Sequence, residues 1–74
     1  MKAVALIGIA CKDKDSYAIY DVTRFDIHRD ILFIADDIIN YHLLRTNNTK
    51  FELAIYYVDQ KNQRQTYLED VDIM

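Results

Sequence analysis

Hydrophobic positions fall into two kinds of pattern along the chain, unbroken or alternating runs at both ends and a helical stripe in the middle. Residues 2–11, KAVALIGIAC, are almost all apolar and rich in β-branched side chains, and the charged cluster KDKDS ends them. Such a run predicts a strand. Its two faces would be Ala3, Ala5, Ile7 and Ile9 on one side and Val4, Leu6, Gly8 and Ala10 on the other. Both are apolar, as in a strand lying inside a sheet with both faces covered. Gly8 weakens a strand and permits close approach of another element. Residues 17–25, YAIYDVTRF, predict a second strand, because Tyr, Ile, Val, Thr and Phe favour the pleated sheet. Residues 51–58, FELAIYYV, alternate, with Phe51, Leu53, Ile55 and Tyr57 on one face. Residues 65–73 predict a last strand through Tyr67, Glu69, Val71 and Ile73, although Tyr67, Leu68, Val71 and Met74 also fit one side of a short helix.

Between the second and third strands the period changes to that of a helix, from about residue 27 to 45. Advancing 100° per residue, Ile27, Ile31, Ile34, Ile38 and Tyr41 form a narrow stripe, widened by Leu32, Ala35, Ile39 and Leu43. Asp26 stands where an N-cap belongs, since its carboxylate can accept from an orphan helix N–H, and Asp30 suits the positive end of the dipole. Asn47 or Asn48 can take the left-handed conformation that closes the helix. Arg29, Asp36 and Asn40 make a polar ridge opposite the stripe. Phe33 and Leu44 nearly eclipse one another beyond that ridge, beside Asp30 and Asp37, where the core stripe does not explain them.

The order ββαββ predicts a single α+β domain over residues 1–74, a four-stranded, mainly antiparallel sheet with one helix packed on one face. If the first strand is central and pairs with the last, the arrangement is like a small β-grasp.

Composition adjusts this picture. With 51% hydrophobic and 28% charged residues the chain is globular in type. At 74 residues it buries only about 60% of the surface that its unfolded form exposes. The net charge of −3 counts against a general binder of phosphate backbones. Cys11 is the one cysteine, which excludes an internal disulfide and fits a reducing, cytoplasmic setting. The segment MKAVALIGIACK imitates a short secretory or lipoprotein signal, but its removal would delete the most strand-like part of the chain. No run reaches the roughly 20 apolar residues of a membrane span. Ile and Asp each occur ten times, with no Pro and one Gly, a bias of the kind that AT-rich genomes such as those of many bacteriophages and some bacteria produce.

Candidate chemistry is sparse. His28 and His42, about 21 Å apart along one helix, cannot share a metal, and neither has a ligand-type residue one turn away, so both are expected to be partly exposed structural residues. Asp36 and Asp37 point 100° apart and make no carboxylate dyad. One glycine excludes a phosphate-cradling loop, and Ser16, the one serine, has no motif around it. No catalytic residue, metal site or cofactor is expected. Six tyrosines suit an interface, because each joins an apolar body to a polar tip. Tyr20, Tyr56 and Tyr67 are candidates for the sheet face away from the helix.

Two surfaces are therefore expected to be bare, that sheet face and the Phe33/Leu44 side of the helix. Large exposed apolar patches mark association sites, and twofold dimers are the commonest way to cover them. The expectation is a homodimer and a non-enzymatic regulator or inhibitor, phage-encoded in its concrete form, that binds a larger host protein. Phe33, Asp37, Leu44, Asp30, Tyr20, Tyr56 and Tyr67 are its candidate contact residues. The alternative is a small dimeric nucleic-acid-binding regulator using Lys12, Lys14, Arg45 and Lys50.

Overall fold

A computed structural model, describing residues 2–73, gives the ββαββ order with one 3-10 turn inserted before the helix. The strands are β1 (Ala3–Lys12), β2 (Tyr17–Tyr20), β3 (Lys50–Asp59) and β4 (Arg64–Asp72), and the helix is α1 (Ile31–Thr46). They form a four-stranded sheet in the order β2-β1-β3-β4, antiparallel throughout. β1 is interior, as its apolar run requires, but its neighbours are β2 and β3. The β-grasp-like pairing of first and last strands does not occur. β3 and β4 are joined by a tight turn, and a pairing that closes a short loop forms more readily than one that spans the whole chain. β2 and β3 both run antiparallel to β1, so they are parallel to each other and α1 is the crossover between them.

Three aspartates punctuate the connection from β2 to α1, and each takes a backbone N–H two residues ahead. Thr23 N–H donates to Asp21 at 3.0 Å, His28 N–H to Asp26 at 2.9 Å and Leu32 N–H to Asp30 at 2.9 Å. These local bonds compete with regular structure. The second strand accordingly ends at Tyr20 rather than residue 25, with Val22–Arg24 in a 3-10 turn capped by Asp21. The helix begins at Ile31, four residues later than its period predicts, and its N-cap is Asp30, not Asp26. Val22, Phe25 and Ile27 still pack on the core edge from this irregular segment. At the other end Asn47 takes φ 59° as the left-handed cap, its N–H donating to the Leu43 carbonyl.

The core is the layer between α1 and the sheet. Ile31, Ile34, Ala35, Ile38 and His42 cover Leu6, Ile9 and Cys11 of β1 and Phe51, Leu53, Ile55 and Tyr57 of β3. Leu32, expected in the stripe, is exposed instead. The face of β1 also differs from simple alternation. Its pairing with β3 shifts register between Ala3 and Ala5 and again between Leu6 and Gly8. Each shift inserts an extra residue and reverses which side faces the core. The core-facing set becomes Ala3, Leu6, Ile9 and Cys11, while Val4 and Ile7 turn outward.

The hairpin between β3 and β4 is set by Asp59, a buried carboxylate that accepts from the backbone N–H of Lys61 and Gln63 and from Gln65 Nε2. Asn62 takes φ 60° and donates its N–H to the Asp59 carbonyl. A type I turn followed by a left-handed residue has this form. It fixes the register in which Ala54 stands beside Leu68. The last segment is thus a strand; Met74, which would have supported a helix, lies outside the described residues.

Candidate functional site

The sheet face away from α1 is built by alternation. Because Cys11, Leu53 and Ile55 face the helix, Ala10 and Ala54 between them face outward, and the register places Ile19, Ala10, Ala54 and Leu68 in one row across all four strands. Ile19 is 74% and Leu68 71% exposed, at the two ends of a row whose middle is two alanines. On one side of this row lie Gly8, Tyr56 and Thr66, with Tyr56 45% exposed. On the other lie Tyr17, Lys12, Glu52 and Asp70. The result is an apolar band with a shallow middle, charged along one end. No part of α1 covers it.

Of the three tyrosines expected there, only Tyr56 is present. Tyr20 pairs with Ile9 and Tyr67 with Ile55, so both point to the helix side. The two-residue alternation of each strand was readable, but the face of β2 and β4 depends on registers that neighbouring strands impose. The Tyr67 hydroxyl donates to Glu69 at 2.6 Å, which together with burial pushes its pKa up to about 12.

The outer side of α1 is the second bare surface. Phe33 is 57% and Leu44 81% exposed, with Leu32 beside Phe33 and Asp37 one turn on. Arg29 lies over the Phe33 ring at 5.4 Å. Asp30 serves as the N-cap, which ties its carboxylate to Leu32 N–H rather than leaving it as a contact group.

Below α1 runs a buried polar chain that the sequence reading misses. His42 is fully buried, not partly exposed, and its Nδ1 lies 2.5 Å from the Tyr20 hydroxyl. Its Nε2 faces Asp13 at 3.5 Å, longer than a hydrogen bond, with no other partner among the described residues. The arrangement that suits both ends has the tyrosine hydroxyl donating to Nδ1 and the Nε2 proton directed at the carboxylate. The signal was present, since His42 follows Ile38 by four and so falls on the core stripe. The imidazole also packs on Phe51, ring centroids 4.4 Å apart.

Asp13 ties this chain to the β1–β2 turn. It accepts from the backbone N–H of Asp15 and Ser16, from the Ser16 hydroxyl and from Asn48 Nδ2. The Asp15 N–H bond leads in holding its pKa down to about 2, opposed by partial burial and helped by Asn48 and Ser16. A carboxyl depressed in the fold from the ordinary 3.8 stabilises it above about pH 4, and that contribution is lost as pH falls toward 2. The urea midpoint of the wild type is therefore expected to drop more between about pH 5 and pH 2.5 than that of Asp13→Asn. Parallel profiles would exclude this role.

No family model matches the chain, and neither a curated protein nor a solved structure matches it. The chemistry has to be read from the surfaces themselves. Cys11 is buried, and burial first, then the Asp13 charge, pushes its thiol up to about 12, so it is no thiolate near neutrality. Lys12, Lys14 and Lys50 do gather at one end of the sheet, around a groove that Asn47 and Asn48 also line. Arg45 does not join them. Its guanidinium sits on the helix side, 5.6 Å from the Tyr20 ring and 5.8 Å from that of Tyr41. The same groove carries five carboxylates, those of Asp13, Asp15, Glu52, Asp70 and Asp72, which outnumber its lysines. Among the described residues no group of three or more His, Cys, Asp or Glu side chains is placed to hold a metal, and no helix is long and apolar enough to cross a membrane.

Proposed function

We propose that this chain is a small non-enzymatic binding protein, a regulator or inhibitor that acts on a larger protein and pairs with a second copy of itself. The observation that carries this reading is the pair of apolar surfaces on opposite sides of one thin molecule. The sheet face presents Ile19, Tyr17, Tyr56 and Leu68, and the helix presents Leu32, Phe33 and Leu44. Burying a single Ile or Leu side chain is worth roughly 1.5–3 kcal/mol, so leaving both surfaces in water forgoes a sum comparable with the stability of a small domain. Among the described residues no further element covers either.

The two surfaces divide the work. The sheet face is broad and nearly flat, suited to meeting its own copy, while the helix strip is narrow and convex, suited to a groove on a larger partner. The residue bias toward Ile and Asp fits a phage-encoded protein acting on a host factor. Mass in solution at micromolar concentration tests the first part, with a dimer of the 8.8 kDa chain expected and a clean monomer sinking it. Pull-down from the native host tests the second. Retention of a protein that survives moderate salt supports it, whereas retention on nucleic acid that falls steeply with salt would favour the nucleic-acid reading instead.

A further inference from the structure

We infer that two copies pair through the bare sheet faces about a twofold axis that runs along the strands, between β1 and β3, and this deepens the dimer reading above. The pairing of β1 with β3 supplies the argument. With the axis on the line between these strands, each residue of β1 comes to stand over the second copy's version of its own neighbour on β3. The cross-strand register then becomes the register of the interface. Ala10 stands over Ala54 of the second copy, Lys12 over Glu52 and Gly8 over Tyr56. Ile19 of β2 stands over Leu68 of β4.

These juxtapositions are favourable and each occurs twice, while Tyr17 comes to stand over Asp70 of the second copy at the outer corner of the band. Lys12 and Glu52 make opposite charges meet at the polar end of the band. The two largest exposed aliphatic residues cover one another at its edges. Packed sheets lie about 10 Å apart and cross at about 30°, so register blurs away from the centre, but these rows lie within about 7 Å of it. The other in-plane twofold, across the strands, is worse matched. It would set the row of Gly8 and Tyr56 against the row of Lys12 and Glu52, so that neither of these charges meets an opposite one.

Gly8 supplies an independent observation. It is the one glycine of the chain, it has no positive φ, and a Cβ there would meet only Tyr56 Cδ2 at 3.6 Å, an ordinary contact. Nothing inside the fold requires glycine at a mid-strand position where it weakens the sheet. A neighbour packed on the outer face would account for it, beside the register shift between Leu6 and Gly8. Without a side chain at residue 8 the Tyr56 ring stays low beside the axis, where the two copies' rings can meet.

Charge reversal tests the geometry. Lys12→Glu alone places glutamate over Glu52 of the second copy, and Glu52→Lys alone places lysine over Lys12, so each variant is expected to dimerise about tenfold more weakly. Mixing the two variants restores opposite charges at both sites, and the mixture is expected to recover wild-type dimerisation as a heterodimer. Intrachain repulsion cannot produce that recovery, because each chain keeps its own altered pair. Gly8→Val should keep the unfolding midpoint of the dilute monomer at or above wild type while raising the dimer dissociation constant about tenfold. A monomeric wild type at tens of micromolar overturns this inference together with the dimer reading. A wild-type dimer with no recovery on mixing, or with Gly8→Val pairing as wild type does, overturns the axis alone.

Discussion

His42→Ala is expected to lower the unfolding free energy by about 3–4 kcal/mol, read as the urea midpoint at neutral pH. Two losses combine in it. The imidazole is fully buried and packs on Phe51, so its removal leaves a cavity between α1 and the sheet. It also leaves the Tyr20 hydroxyl without the ring nitrogen it meets at 2.5 Å. A 74-residue domain has roughly 4–11 kcal/mol in all, so the variant should sit at the brink of unfolding. Tyr20→Phe separates the contributions, because it keeps the packing and removes only the hydroxyl. It should cost about 1–3 kcal/mol, the penalty of a buried acceptor left without its donor. A His42→Ala midpoint within error of the wild type would mean that the chain from Tyr20 to Asp13 does not hold the helix to the β1–β2 turn.

The second large effect concerns binding. Phe33→Ser together with Leu44→Ser should reduce capture of the protein partner by about thirtyfold or more, since a buried aromatic anchor is worth about 2 kcal/mol or above. Both side chains lie in solvent in the isolated fold, so stability should move by no more than about 0.5 kcal/mol. The dimer should persist, because the helix strip and the bare sheet face lie on opposite sides of the molecule. The comparison is quantitative capture by variant and wild type at equal concentration, with mass in solution as the control. Undiminished capture would move the partner site away from α1. Loss of the dimer in the same variant would instead place self-association on the helix and overturn the division of surfaces proposed above.

What was legible in the sequence depended on how local its cause was. The helix face is a local property, and Ile31, Ile34, Ile38, Phe33 and Leu44 lie where a 100° step puts them. Alternation likewise placed Phe51, Leu53, Ile55 and Tyr57 on the buried side of β3. Boundaries failed where short-range side-chain bonds outweighed propensity. Val22, Thr23 and Phe25 favour strands, yet Asp21, Asp26 and Asp30 bend the backbone three times in ten residues. The face of β1 failed because a bulge has no signature in an apolar run. Tyr20 and Tyr67 were placed on the wrong side because their orientation follows from partners elsewhere in the chain. The polar chain was missed for a similar reason: Asp13, Tyr20 and His42 lie on three elements that only the fold brings together.

The position of β4 has a consequence for how the protein behaves in a crowded solution. Of the two outer strands, β2 has four residues and offers little to pair with, but β4 presents nine along an open margin. Such a margin is a template for endless strand addition between molecules. Glu69, Asp70 and Asp72 set three negative charges along it against one positive, Arg64, and this excess disfavours the pairing of two such margins. The carboxylates on this strand thereby act as a guard against fibre growth, and leave the broad face of the sheet for the pairing of copies proposed above.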